Sequence, residues 1–458
     1  MSEPTPGPAH KRSILESLGL HRPELRAWAM YDWAITGMWA VIVATVFPIY
    51  FAKVAGADLA PGLATRYFGI ATTLGLAFIA LLAPIMGAFA DFRAVKKKMI
   101  GTFAGIGIAA VACMFFIHQG DWLLAAILFV LANIGANGSM VFYDAMLPHI
   151  AREDEIDRVS TAGFAIGYAG AGILLAINLT VIMKPDWFGL PDTTLPTRLA
   201  FLSVALWWFC FAIPLFRRVP EPPVAVLPAS QAGRNPIGVA FERLGQTFKE
   251  LRGYKQASLM LLAFLVYNDG IGTIIRMAAI YGEEKGIESH VLIGSIVMVQ
   301  FVGIPCTFLF GALAGRIGAK PAIFIGLVVY AGISVLGYFM QTWVHFVILA
   351  ALVGLVQGGT QALSRSLFAS MVPREKSGEF FGFFAVFEKF AGIFGPLIFT
   401  AMIIVTGASQ YAILSIIAFF IVGGAILIFV DVDEGRRVAR EANRAADERA
   451  RTPEMSVP

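Results

Sequence analysis

Long apolar runs separated by short polar stretches recur from residue 27 to residue 430. Twelve of these runs, 27–51, 65–89, 99–117, 122–146, 160–183, 197–217, 257–281, 290–314, 321–341, 345–370, 379–405 and 410–430, are expected to be helical spans. At 1.5 Å per residue each is long enough to cross a hydrocarbon core about 30 Å thick. The pattern predicts an all-α membrane protein with twelve transmembrane helices in two six-helix bundles. The parts are a polar tail (1–26), a first bundle (27–217), a linker (218–256), a second bundle (257–430) and a second tail (431–458). Ser13 to Leu20 could add an interfacial turn or two. In the linker, Ile237, Phe241, Leu244, Phe248 and Leu251 recur at helical spacing. That pattern fits an amphipathic helix on the membrane surface or a connector packed on protein. The last tail, rich in Ala, Arg and Glu, reads as a solvated helix or a disordered segment.

Composition agrees with the pattern. The chain has 458 residues, of which 58% are hydrophobic and 14% charged, with a mean hydropathy of +0.74. Soluble domains are about 25% charged, so this chain has too little polar surface to cover a globule in water. Basic residues fix an orientation: with the N-terminus inside, about 27 fall in inner segments and about five in outer loops. Both termini are therefore expected in the cytosol. No cleavable leader is visible, which fits a bacterial inner membrane. Cys113, Cys210 and Cys306 lie in apolar runs and the histidines are scattered, so neither a metal site nor a cofactor is expected. No phosphate-binding loop and no nucleic-acid signature is present, and the chain is expected to act as a monomer.

The linker divides the chain six plus six, and the halves carry matching pieces. Tyr31-Asp32 corresponds to Tyr267-Asn268-Asp269, GAFAD (87–91) to GALAG (311–315), and NGSMVFYDAMLP (137–148) to TQALSRSLFASMVP (360–373). Three matches in order suggest a duplication.

Polar residues inside the spans carry the candidate chemistry. A charge at membrane depth costs about 3 kcal/mol or more, so it must face protein or a wetted cavity. Gln357, Gln361 and Arg365 share one face of the tenth span. Asp269 lies near mid-depth of the seventh, with Arg276 on nearly the same face. Asp32 lies in the first span, and Asn133, Asn137 and Asp144 follow one face of the fourth. These spans, one, four, seven and ten, are equivalent under the repeat. A midplane solute site between repeats is expected there. Arg276 or Arg365 would hold an anionic group, and Asp269, or failing that Asp32, would carry a coupling proton. Each has a plainer reading. Asp32 fits an aromatic interface belt, Arg365 an ion pair to Asp144, and the two asparagines interhelical packing. Glu388 and Lys389 point about 100° apart, so at least one needs a partner on another helix. Gly163, Gly167, Gly170 and Gly172, with Gly392 and Gly395-Pro396, read as close-packing and bending positions.

The loop after the second span carries Gly87, Asp91, Arg93 and Lys96 to Lys98, with a partial copy at Gly311 to Lys320 that includes Arg316. Such a cluster can latch two halves on the inner side and release when they rock apart. The plainer reading is a helix end with topogenic lysines.

The segments RAWAMYDWA (26–34), VFPIYF (46–51), FLVYNDGIGT (264–273), GLVQGGTQALSRSLF (354–368) and FFGFFAVFEKFAGIFGPL (380–397) are specific. Through them the chain resembles the major facilitator superfamily over all twelve spans. Within it, the chain is similar to the vacuole-effluxer-like branch, named for a fungal autophagy-related amino-acid exporter. The resemblance implies the major facilitator fold and a secondary carrier working by alternating access. Amino-acid-like solutes become the leading expectation. The branch's loop motif matches at Gly87, Asp91, Arg93 and Lys96. It departs at Phe92, where a basic residue is usual, and at Gly315, which replaces the second copy's Asp. After YDWA the branch has Asn-Ser where this chain has Ile35-Thr36.

The reading is a secondary active transporter of a small polar solute, an amino acid or similar carboxylate-bearing metabolite, with protons as candidate coupling ion. A broad drug or lipid exporter of the same fold is the alternative. An integral membrane enzyme is disfavoured, because no His, Asp or Glu cluster sits at acid–base or metal spacing.

Overall fold

The computed structural model describes residues 13–60, 63–190, 194–223, 253–392 and 394–451, and every regular element among them is a helix. Twelve segments are long and apolar enough to span a membrane. They are α1 (Pro23–Ala55), α2 (Arg66–Asp91), α3 (Lys96–Phe116), α4 (Trp122–Ile150), α5 (Ile156–Met183) and α6 (Thr194–Arg218). The second six are α7 (Lys255–Ala278), α8 (His290–Ile317), α9 (Ala319–Tyr338), α10 (Trp343–Ser370), α11 (Arg374–Thr406) and α12 (Ser409–Ile428). A final helix, α13 (Val432–Arg451), follows. The expected amphipathic segment from Ile237 to Leu251 lies outside the described residues. The expected interfacial turn is a short helix, Ile14–Ser17, closed by reciprocal Ser13 and Glu16 bonds.

Hydropathy places the spans but not their ends. The helix of α2 runs to Arg93 and α4 to Ile150. The last turn of α2 carries Asp91 and Arg93, which ends its apolar run early, whereas α4 ends on the buried Leu147, Pro148 and Ile150. One span differs in kind. Instead of one continuous α11, there are two helices, Ser377–Phe390 and Phe394–Thr406. Pro396 sits in the first turn of the second, where a missing N–H costs nothing. In α1, the stretch Trp39–Thr45 is wound as π-helix, a form that recurs at functional sites.

Within the first six spans, α1 packs on α5 and α6, and α3 on α4. Within the second six, α8 and α9 pack on α10, and α7 on α12. Between the two sets, α2 lies along α11 and α5 along α8. Small residues set these approaches. A side chain at Gly163, Gly167 or Gly170 of α5 would run into Asp32, Thr36 or Trp33 of α1. One at Gly87 of α2 would overlap the Gly378 carbonyl at the start of α11.

The duplication has a structural counterpart that the motif comparison did not contain. Lys97 Nζ, at the start of α3, donates to the carbonyls of Phe216, in the last turn of α6, and Val219, just past it, at 2.9 and 2.8 Å. Lys320 Nζ, at the start of α9, donates to the carbonyls of Ile428, the last residue of α12, and Val430, just past it, at 2.9 and 2.7 Å. Each lysine supplies a cation where a helix leaves carbonyls unpaired. Beside Lys97, Glu221 accepts that residue's backbone N–H at 3.0 Å. Burial pushes the Glu221 carboxyl up, and the N–H groups of Lys97 and Lys96 draw it back.

The last tail is helical and docked. Arg436 Nε donates to Ser370 Oγ at the end of α10 (3.2 Å), and Asn443 Oδ1 accepts the Arg374 N–H (2.9 Å).

Candidate functional site

Arg365 is the hub of the polar interior. Its guanidinium leaves α10 and enters the first six helices, where it is 2% exposed. Nη1 meets Asp144 Oδ1 of α4 at 2.9 Å, and Nη2 lies 3.5 Å from Asp32 Oδ2 of α1. Nε donates to Ser160 Oγ at 2.9 Å and Nη2 to the Ser160 carbonyl at 3.0 Å. The rings of Trp28, Tyr143 and Phe164 surround it at 4.9, 5.8 and 4.5 Å. Tyr143 also donates its hydroxyl to Asp32 at 2.7 Å. One cation thus faces two carboxylates, with aromatic faces closing the remainder.

Among the described residues, the further hydrogen bonds and ion pairs between the two sets lie on the side that carries both chain termini. Ser160 Oγ donates to the Ala362 carbonyl at 2.7 Å, and Ser366 Oγ to Asp157 at 2.6 Å. His149 Nε2 and Ser377 Oγ lie 3.0 Å apart. Asp91 of α2 pairs with Lys96 at 2.5 Å. It also accepts the N–H groups of Gly378 and Glu379 at 3.0 and 2.9 Å, capping the first α11 helix. On the opposite side, the stretch 46–55 of α1 and the helix Phe394–Thr406 have their principal packing partners in their own halves. Among the described residues, the hydrogen bonds and ion pairs between the halves therefore gather on the terminal side.

A second cluster forms at the α11 break. Asp269 of α7 is 2% exposed and accepts the Gly395 N–H at 2.9 Å, at the start of Phe394–Thr406. Seven residues on, Arg276 donates to the Gly392 carbonyl at 3.1 Å, just past the end of Ser377–Phe390. The acid meets a helix N-terminus and the base a C-terminus, the arrangement favoured by both dipoles. Glycine at 392 and 395 allows it: a side chain there would overlap the Arg276 guanidinium or Thr273 Oγ1.

The sequence candidates therefore divide. Asp32, Asp144 and Arg365 come together, as the ion-pair reading of Arg365 anticipated. Asp269 and Arg276 share a face but serve the α11 break, remote from that hub. Asn133 and Asn137 are buried and donate to the Phe129 and Asn133 carbonyls of their own helix. Among the described residues neither hydrogen-bonds to another helix, while Asn133 packs against Gly75 of α2. Gln357 and Gln361 are half-buried on the Arg365 face of α10. Arg93 and Arg316 are exposed, and so is Gly315, where the second latch copy lacks its acid. Glu388 and Lys389 pair with each other at 3.1 Å, and Lys389 lies 5.8 Å from the centre of the Trp39 ring of α1. Sequence reasoning missed Ser160, Tyr143 and Phe164. Only Tyr143, beside Asp144 in VFYDAM, carried a local signal.

A family model described as "Vacuole effluxer Atg22 like" matches residues 64–440. The chain belongs to this family. Among similar proteins, an uncharacterized MFS-type transporter, YxiO, of Bacillus subtilis is 36% identical across 91% of this chain and 97% of its own length. Autophagy-related protein 22 of Coccidioides immitis is 25% identical, across 79% of this chain and 72% of its own. The proton:xylose symporter XylE superposes with a TM-score of 0.66 at 12% identity, over 92% of this chain and 97% of that one. A bacterial ferroportin homologue in an outward-facing state gives 0.62 at 16%, over 89% and 98%. These structures speak to the fold alone. This Atg22-like chain is a multi-pass membrane transporter of the major facilitator superfamily, not an enzyme.

Proposed function

We propose that the protein is a secondary active transporter that moves a small polar solute, an amino acid or similar carboxylate-bearing metabolite, by alternating access. The two rocking units are 27–217 and 257–430, acting as a monomer in a bacterial inner membrane with both termini cytosolic. The observation that carries this reading is the asymmetry of polar contacts: among the described residues, the hydrogen bonds and ion pairs of Arg365, Asp91 and their partners join the halves on the terminal side. In this reading the conformation is outward-open, and Arg365 is an inner gate. The Asp32–Arg365–Asp144 cluster must separate before solute can leave inward.

With Arg365 enclosed, Arg276 is the better candidate to hold a solute carboxylate, since it is exposed and lies in the half of α7 away from the chain termini. Gln357 and Gln361 supply amides above the gate, and Asn133 and Asn137 stand behind the wall of α4. Asp269 is the proposed proton carrier and Asp32 the second choice. Gly87, Asp91 and Asp144 belong to the gate, with Arg93 and Arg316 at its cytosolic rim. Kinship with a branch named for an amino-acid exporter supports the solute class.

Counterflow in proteoliposomes tests it. Vesicles preloaded with individual amino acids should accelerate uptake of the same labelled solute. Acceleration only by lipophilic cations or sugars would overturn the solute class.

A further inference from the structure

We propose that the break in α11 is the carboxylate-binding position, occupied by Asp269 until a proton frees it for a solute. This rests on the transporter reading above and specifies where and how the proton is coupled. The N-terminus of Phe394–Thr406 presents backbone N–H groups toward α7, and the Arg276 guanidinium stands across the same gap. Together they form an anion hole of fixed dipoles and one cation. In this conformation the hole already holds an anion, the Asp269 carboxylate. Among the described residues, only one of its oxygens has a hydrogen-bond partner. Oδ2 takes the Gly395 N–H, while Oδ1 is buried and has no hydrogen-bond partner. An ionised oxygen buried without a partner is costly, and a proton arriving there breaks no existing bond.

The charged surroundings are simple. Among the described residues, Arg276 is the one charged side chain acting on Asp269, and α11 contributes the backbone of Phe394 and Gly395. Glu388 and Lys389 stand before the break and pair with each other. From α12, Phe419 and Phe420 press on Gly270 beside it, and α10 contributes Ser364 through Tyr267.

The step balances. A proton from water adds to Oδ1, the neutral acid leaves the dipoles, and a solute carboxylate takes the Gly395 N–H and the Arg276 fork. The site's net charge is the same before and after, and one proton travels with each carboxylate. The exposed edge of Arg276 is the side from which solute arrives. Release reverses the exchange, so solute carboxylate and ionised Asp269 never share the hole.

The test is binding of labelled L-leucine, L-glutamate and L-lactate to the purified full chain across mildly acidic to mildly alkaline pH. Binding takes up a proton, so wild-type affinity should fall about tenfold per pH unit where Asp269 is ionised. Asp269→Asn keeps an oxygen for the Gly395 N–H but carries no charge. Its affinity should be flat with pH and no weaker than that of wild type in acid. Arg276→Gln should lose binding at every pH. A pH dye in unbuffered wild-type protein should report one proton taken up per carboxylate bound, independent of any variant's folding. Wild-type binding without pH dependence or proton uptake, or an Asp269→Asn protein with wild-type pH dependence, overturns the inference and leaves the transporter reading standing. No binding of any probe by wild type overturns the carboxylate class itself.

Discussion

Arg365 of α10 and Asp144 of α4 stand 2.9 Å apart across the seam between the two six-helix sets, deep on the side that carries both termini. The pair is buried, so its energetics are asymmetric. Removing one partner of such a pair costs about 3–5 kcal/mol, because a charge is left unpaired. Arg365→Leu strands both Asp32 and Asp144. It should lower the melting temperature in detergent and abolish transport. Adding Asp144→Asn to Arg365→Leu should recover part of the melting temperature but no transport. A double mutant less stable than the single would contradict the assignment.

Lysine at position 365 keeps the charge but not the geometry. The guanidinium serves Asp144 and both Ser160 oxygens at once, and a single ammonium lacks that planar fork. Arg365→Lys should fold yet transport at least about tenfold more slowly, a barrier change of about 1.4 kcal/mol. Initial rates in proteoliposomes decide it.

At the α2–α11 seam, any side chain on Gly87 meets the Gly378 carbonyl. Gly87→Val should hold the terminal side apart. Asp91→Asn removes the Lys96 ion pair and weakens a cap, an effect of about 1–2 kcal/mol. Both variants should make a cysteine at Ser377, buried here, react faster with a water-soluble maleimide. Unchanged labelling would separate this seam from gating.

Lys97 and Lys320 occupy equivalent positions and perform the same capping. Lys97→Met and Lys320→Met should each destabilise by about 1 kcal/mol and leave transport rates near wild type. Thermal unfolding beside counterflow measures both. A large effect from only one lysine would argue against functional equivalence of the two halves.

Hydropathy, basic-residue bias and motif order made the twelve spans, the duplication and the polar faces legible, because each is a property of one segment read alone. Asp32, Asp144 and Arg365 stood out as charges in apolar runs for the same reason. The Arg365–Asp144 pair stood among the readings of Arg365, but the place of Asp32 beside them did not, since more than 200 residues separate α4 and α10 at that pair and only packing brings α1 to it. The α11 break was half legible. Gly392, Gly395 and Pro396 marked bending, but the α7 residues holding the ends are set by packing. Ser160 and Phe164 carried no signal, as serine and phenylalanine are ordinary in apolar helices.

The central claim is that the halves exchange one closed side for the other, with Arg365 as the inner lock. Double electron–electron resonance measures this directly, after Cys113, Cys210 and Cys306 are replaced. One spin-label pair sits at Glu153 and Lys376 on the terminal side, and another at Lys53 and Lys285 on the far side. Wild type should give a short terminal-side and a long far-side distance, and Arg365→Ala should populate the reverse, one distance lengthening as the other shortens. Distances that move together, or that ignore the loss of Arg365, would contradict it.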